Sequence, residues 1–278
     1  MIRHEFRAMG TTVAIHTNGD PGQAKRFVDA SEARFSRFLP GSELTTLHTH
    51  VESRSSLSSD MFDLLSSAAE ARRRTDGLVD IGVGAAMDAW GYDRPFDEDL
   101  TLATPPEQLQ GAKWSLTGRR LTMPEGVALD LGGIAKGWVC DRLVDTGLAE
   151  IASAGGDIRS ADPDLVVDVE AGSNLIEVPL GVGALATSST LLRTWQAGSR
   201  TVSHLIDPHT MEPTDSPIVS STVVAASAVE AEAGAKSVLL RGIDGLAWAD
   251  EQPWIRRAVA VWRDGSVFST KERVKAWS

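Results

Sequence analysis

Apolar positions recur along this chain with two periods, one near two residues and one near 3.6. Around Val13 and Ile15 they alternate with polar positions, which predicts a half-buried strand starting after a turn at Gly10. Ala24, Phe27, Val28, Ser31, Phe35 and Phe38 then recur at spacings of three and four, forming one face of a helix that ends before Pro40. A second helix is predicted between Ser58 and Thr75. A Ser-Ser-Asp run opens it, Met61, Phe62, Leu64, Leu65, Ala68 and Ala69 make its apolar side, and Gly77 follows its end. Arg72, Arg73 and Arg74 load its last turn, where cations suit the helix dipole, and they read as a solvated helix end or as a binding patch.

Val127, Leu129 and Leu131 alternate as a strand, and Ile134, Trp138, Val139 and Leu143 mark a helix that starts almost at once. Further strands are expected near 165–169, 178–186, 201–206 and 218–225, with a helix over about 228–240 and a closing strand around 258–262. Strands outnumber helices and do not alternate regularly with them. The pattern therefore predicts an α+β fold of mixed or antiparallel sheets with packed helices, not a doubly wound one.

Composition narrows the picture. The 278 residues suffice for one large core and are read as a single domain over 1–278. A charged fraction of 23% with 42% apolar residues lies in the folded range. The net charge of −11 argues against a general nucleic-acid or anionic-membrane surface, since both need clustered cations, so any phosphate site must be local. Cys140 is the only cysteine; it excludes an internal disulfide and reads as a buried small apolar residue in a helix. The opening MIRHEFRAMGTTVAIHT has no apolar signal region, and nowhere do 18 apolar residues run together. No membrane anchor and a cytoplasmic address are expected.

Three stretches carry candidate chemistry. In Asp130-Leu131-Gly132-Gly133-Ile134-Ala135-Lys136-Gly137, a carboxylate stands at the mouth of a glycine turn, and the helix that follows offers N–H groups to an anion. Lys136 can reach the same anion, so the stretch reads as a diphosphate site or as a tight turn with a surface lysine. Ala154-Gly155-Gly156-Asp157 reads first as a hairpin. In Val202-Ser203-His204-Leu205-Ile206-Asp207-Pro208, a strand would put His204 and Ile206 on the face of Val202, with Asp207 at the exit. His204 there is either a structural histidine or a base for a hydroxyl nucleophile.

Together these residues resemble the FAD:protein FMN transferases, the ApbE family. The resemblance runs in order through Met9-Gly10-Thr11, Phe35-Ser36-Arg37-Phe38 with Ser42-Glu43-Leu44, and Trp90-Gly91-Tyr92. It continues through Asp130 to Gly137, Gly155-Gly156-Asp157, Ala186-Thr187-Ser188 and His204-Leu205-Ile206-Asp207-Pro208. It implies mixed sheets with helices, an FAD bound in a cleft, and Mg²⁺ bridging the FAD diphosphate while FMN moves to a Thr or Ser of an acceptor flavoprotein. By position it places Met9 and Tyr92 near the flavin or adenine and Asp130, Gly133, Lys136 and Asp157 at the nucleotide. Thr187, Ser188 and Ile206 fall along the cofactor, and His204 and Asp207 in the catalytic block.

The departures bear on the metal. Where the family usually carries Ala-Asp-Ala-x-Ala-Thr, this chain has Ala231-Glu232-Ala233-Gly234-Ala235-Lys236, so an acid survives but a lysine replaces the hydroxyl. The resemblance leaves Gly133 and Glu232 as metal positions, with Lys236 able to take over part of the cation's place. Ser189-Thr190 stands where an aspartate and a tyrosine are common, and His48 where an asparagine is. The readings that follow are a transferase releasing AMP, an FAD pyrophosphatase, and a non-catalytic FAD carrier.

Overall fold

The computed structural model describes residues 1–50, 55–96, 100–102, 104–107, 109, 111, 113–124, 127–172 and 174–270. Two compact units share the chain: Met1–Val28, Lys136–Ser189 and Asp215–Ser278 form the first, Asp29–Ala135 and Thr190–Thr214 the second. Among the described residues no helix is long and apolar enough to cross a membrane.

The first unit is built on an eight-stranded antiparallel sheet whose spatial order is the chain order of its strands. They are Ile2–Ala8, Thr11–Thr17, Ile151–Ala154, Asp157–Ser160, Gly183–Ser189, Ile218–Ala225, Ile255–Trp262 and Val267–Ser269. Two hairpins close on two-residue turns. Met9 and Gly10 have φ of +54° and +67° between Ala8 and Thr11, and Gly155 and Gly156 have +59° and +101° between Ala154 and Asp157. Positive φ at both central residues gives the turn whose twist matches the flanking strands, which is why glycine holds three of the four positions. The edge strand Ile2–Ala8 was not anticipated. Its inward positions His4, Phe6 and Ala8 alternate, but the first is polar and only Ala8 is buried, so the apolar alternation in sequence is weak.

Helix Ala228–Leu240 lies where predicted and packs across the strands Gly183–Ser189, Ile218–Ala225 and Ile255–Trp262. It is buried on most sides, at Ala231, Glu232, Ala233, Gly234, Ala235, Val238 and Leu239 among others. Its first turn is capped twice: Ser227 Oγ accepts from Glu230 N at 3.2 Å, and the Asp141 carboxylate accepts from Ala228 N and Val229 N at 2.7 and 3.0 Å. The strand expected over 178–186 is two strands, Asn174–Pro179 and Gly183–Ser189. Leu180 N and Gly181 N both donate to Leu165 O, and Gly181 takes φ +58°, so the chain turns from one partner to another.

The second unit contains helices Glu43–Thr49, Ser59–Arg74 and Gly84–Ala89 and a small mixed sheet. In that sheet Thr194–Ala197 pairs antiparallel with Arg200–Ser203 and parallel with Thr101–Leu102. Ser58 caps the long helix by accepting from Met61 N, as its sequence predicts. At the other end Arg72 pairs with Asp80, while Arg73 and Arg74 pair with Glu70, so the arginine run is a helix end with local ion pairs. The core gathers Met87, Trp90, Tyr92, Trp195, Ile206 and Met211. Two indole N–H groups tie it: Trp90 Nε1 donates to Met211 O at 2.9 Å and Trp195 Nε1 to Trp90 O at 2.8 Å.

Two strand expectations fail in this unit. Residues 127–131 pair with no strand, although Leu129 and Leu131 are buried as their alternation predicts. Leu129 N donates instead to His48 Nε2 at 2.9 Å and Asp130 N to Ile81 O at 2.7 Å, so this segment bonds to a side chain and to the short 3₁₀ helix Ile81–Val83. The strand expected over 201–206 stops at Ser203. His204 lies in a bend, Leu205 N donates to Ser203 Oγ, and Ile206–Asp207 opens a new hairpin with Glu212–Pro213. His204 therefore does not share one strand face with Val202 and Ile206, because the chain changes pairing partner at that residue.

Candidate functional site

In the first unit the sequence-predicted residues Lys136, Asp157 and Glu232 come together with Lys236, and both lysines meet at the Glu232 carboxylate. Lys136 stands in the first turn of helix Ala135–Asp145, Glu232 and Lys236 share a face of Ala228–Leu240 one turn apart, and Asp157 begins the strand after the Gly155-Gly156 turn. Lys236 Nζ lies 2.9 Å and Lys136 Nζ 3.0 Å from Glu232 Oε1. Asp157 Oδ2 is 3.6 Å from Lys136 Nζ. The two carboxylates are 2% and 3% exposed, while the two lysines keep 14% and 16% of their side-chain surface in solvent.

Glycine makes this arrangement possible. A Cβ on Gly137 would sit 2.9 Å from Ala228 O and 2.9 Å from Glu232 Oε2, so only glycine lets the two helices approach this closely. Gly137 N uses that approach to donate to Glu232 Oε2 at 3.3 Å. The hairpin backbone comes close as well, since a Cβ on Gly155 would meet the Lys136 stem at 3.4 Å and Thr11 Oγ1 at 3.0 Å.

The two acids titrate apart. Burial raises Glu232, but the Lys136 and Lys236 ammoniums outweigh it and hold its carboxyl down at about 2. Asp157 is pushed up to about 7, first by burial and then by the Glu232 charge, with the lysines opposing. Cys140 is fully buried beside them and burial pushes its thiol up, so it is the inert apolar residue expected. Thr187 and Ser188 lie on the neighbouring strand, where Thr187 Oγ1 is 2.8 Å from Thr222 Oγ1 and Ser188 is buried. Met9 is half-buried in the first hairpin turn.

In the second unit Asp130 is held by a residue to which sequence reasoning gave no separate role, Arg37. Arg37 Nε lies 2.7 Å from Asp130 Oδ2, its Nη1 pairs with Asp88 and its Nη2 donates to Tyr92 O. The guanidinium stacks on Phe38 and Tyr92, 4.3 and 5.2 Å from the ring centroids. Asp130 Oδ1 also accepts from Gly132 N at 2.6 Å, so its carboxylate shapes the Gly132-Gly133 turn. Tyr92 itself is 7% exposed among Phe38, Phe96 and Trp195, and Ile206 is buried in the same core. Asp207 Oδ1 accepts from His209 N at 2.8 Å and so builds the turn after Pro208.

Of the two metal positions implied above, Gly133 lies in the second unit and Glu232 in the first. Glu232 does not fit a divalent ion. Both ammoniums occupy Oε1, the Gly137 N–H occupies Oε2, and two of the three charged groups named around it are cations. Among the described residues no three His, Cys, Asp or Glu side chains converge as metal ligands do.

The ApbE family profile matches residues 9–259, a span that includes every residue named in this section. A Rhodobacter capsulatus protein named FAD:protein FMN transferase is 28% identical over 98% of this chain and 57% of its own length. A Vibrio cholerae protein of the same name is 27% identical over 87% of this chain and 82% of its own. This chain thus spans little more than half of the first relative. Among solved structures, an ApbE protein from Thermotoga maritima superposes with a TM-score of 0.84 at 23% identity, covering 97% of both chains. The flavin transferase ApbE from Vibrio cholerae does so with 0.76 at 22% identity, again over 97% of both. The α+β fold is that of these proteins, and this chain belongs to the ApbE family.

Proposed function

We propose that this chain transfers the FMN half of FAD to a Thr or Ser hydroxyl of an acceptor protein and releases AMP. The observation that carries the reading is the family match over residues 9–259, with relatives named FAD:protein FMN transferase aligned over nearly the whole chain. The Lys136–Lys236 pair supports it, because two ammoniums at a glycine hairpin and a helix start suit a diphosphate.

In the reaction the acceptor oxygen forms a bond to the FMN phosphorus, and the bond from that phosphorus to the bridging oxygen breaks. The electron pair leaves on AMP, and the hydroxyl proton passes to a base. His204 is that base: Asp207 commits one carboxylate oxygen to its own turn, and histidine matches a proton transfer near neutral pH. Lys136 and Lys236 offset charge on the diphosphate oxygens, Asp130 is fixed by Arg37 at the nucleotide, and the Met9 turn, Thr187 and Ser188 contact the cofactor.

The test is incubation with FAD and a Thr- or Ser-bearing acceptor, followed by AMP quantification and mass mapping of the acceptor. One AMP per FMN-bearing Thr or Ser peptide is expected. Free FMN with AMP and no labelled peptide would make the protein a pyrophosphatase, and bound but unchanged FAD would make it a carrier.

A further inference from the structure

We infer that Lys136 and Lys236 supply the positive charge for the FAD diphosphate in place of a divalent cation, so that this chain binds FAD without a metal ion. The inference rests on the FAD reading above and adds how the diphosphate is met.

A magnesium ion sits about 2.0–2.1 Å from each oxygen it binds and wants six of them. At Glu232 the nearest oxygen already holds two ammoniums, at 2.9 and 3.0 Å, and an ion bound there would lie against both. The other oxygen receives the Gly137 N–H at 3.3 Å, where the two helices approach closely. The two ammoniums carry two unit charges, of which Glu232 offsets one, so the pair stands in for part of the ion's charge and not for its geometry.

A simpler account would make Glu232 and Lys236 an ordinary i,i+4 ion pair on a helix surface. Burial argues against it. Glu232 is 2% exposed, and its second cation comes from a different helix, which no surface pair requires. The lysines are the more exposed members, with 14% and 16% of their side-chain surface in solvent against 2% for Glu232. Each ammonium carries three donors and can turn one toward a phosphate oxygen while keeping Glu232.

The test is titration of FAD by flavin fluorescence in metal-stripped buffer with EDTA, and again with millimolar Mg²⁺. Equal affinity within about twofold is expected, together with no tight Mn²⁺ site by electron paramagnetic resonance in the absence of FAD. A loss of about tenfold or more on chelation overturns the inference and leaves the FAD reading standing, whereas failure to bind FAD in either buffer overturns the FAD reading itself. Lys236→Thr should weaken FAD binding about tenfold in EDTA and recover it with Mg²⁺. If that variant does not fold, Lys236→Gln keeps a hydrogen bond to Glu232 without the charge and should behave the same way. A folded variant as insensitive to EDTA and Mg²⁺ as the wild type overturns the role given to Lys236.

Discussion

Two charged clusters, one in each unit, solve opposite problems. Around Glu232 two ammoniums converge on one buried carboxylate, whereas around Arg37 one guanidinium serves Asp130, Asp88 and the Tyr92 carbonyl. Ammoniums are compact, rotatable point charges that can re-aim at an incoming anion. The guanidinium is a planar fork with its edges committed and its faces against Phe38 and Tyr92. On the function proposed above the first cluster receives a ligand, whereas the second holds the Gly132-Gly133 turn still.

The largest expected effect separates the two acids of the first cluster. Glu232→Gln should destabilise the protein by about 3–5 kcal/mol in denaturant unfolding, since it leaves two partly buried ammoniums without their shared counter-charge. Asp157→Asn should cost far less. The pH dependence sharpens this contrast. Glu232 has its folded pKa lowered to about 2, so its stabilisation is fully present above the ordinary 4.5 and is lost as pH falls toward 2. Asp157 has its folded pKa raised to about 7, so ionising it works against the fold and stability declines as pH rises from about 4 to 7. In Asp157→Asn that decline should flatten in thermal melts across the window; an unchanged slope would assign it elsewhere.

Next in size is His204→Ala, which should lower single-turnover FMN transfer by about a hundredfold while FAD affinity stays unchanged. An equal loss of binding and turnover would return His204 to a structural role. Lys136→Ala should weaken FAD binding by roughly 1.5–3 kcal/mol, the value of a charge-assisted contact. Binding within about twofold of wild type would make Lys136 a scaffold residue only. The smallest effect is expected at Glu70, whose carboxyl is held down at about 2 by hydrogen bonds from Arg73 and Arg74 on a solvent-exposed helix face. Glu70→Gln should change stability by no more than about 0.5 kcal/mol, because solvent screens such pairs. A loss as large as that of Glu232→Gln would break the contrast between buried and exposed charge.

Much of the local structure around the candidate residues was legible because they carry local signals. Gly155-Gly156 announced its hairpin, Ser58 its helix cap, and Lys136 its place just past a glycine turn. What stayed hidden depends on contacts distant in sequence. The alternation of Val127, Leu129 and Leu131 reports burial on one side, and nothing in it says that His48 and Ile81 will take the hydrogen bonds a partner strand would have taken. Arg37 was visible only as one letter of a block, since its role comes from Asp130, more than 90 residues along the chain. Gly137 looked like the end of a motif, and only the packed helices show that its missing side chain admits Glu232.

Recognition of a diphosphate carrying a flavin underlies every role proposed above, and comparing FAD with FMN in one fluorescence titration tests it most directly. FMN has the flavin and a single phosphate but neither the bridging oxygen nor the adenosine half. FAD should bind more tightly than FMN by about tenfold or more, the worth of one charge-assisted phosphate contact. Equal affinity for the two would contradict it.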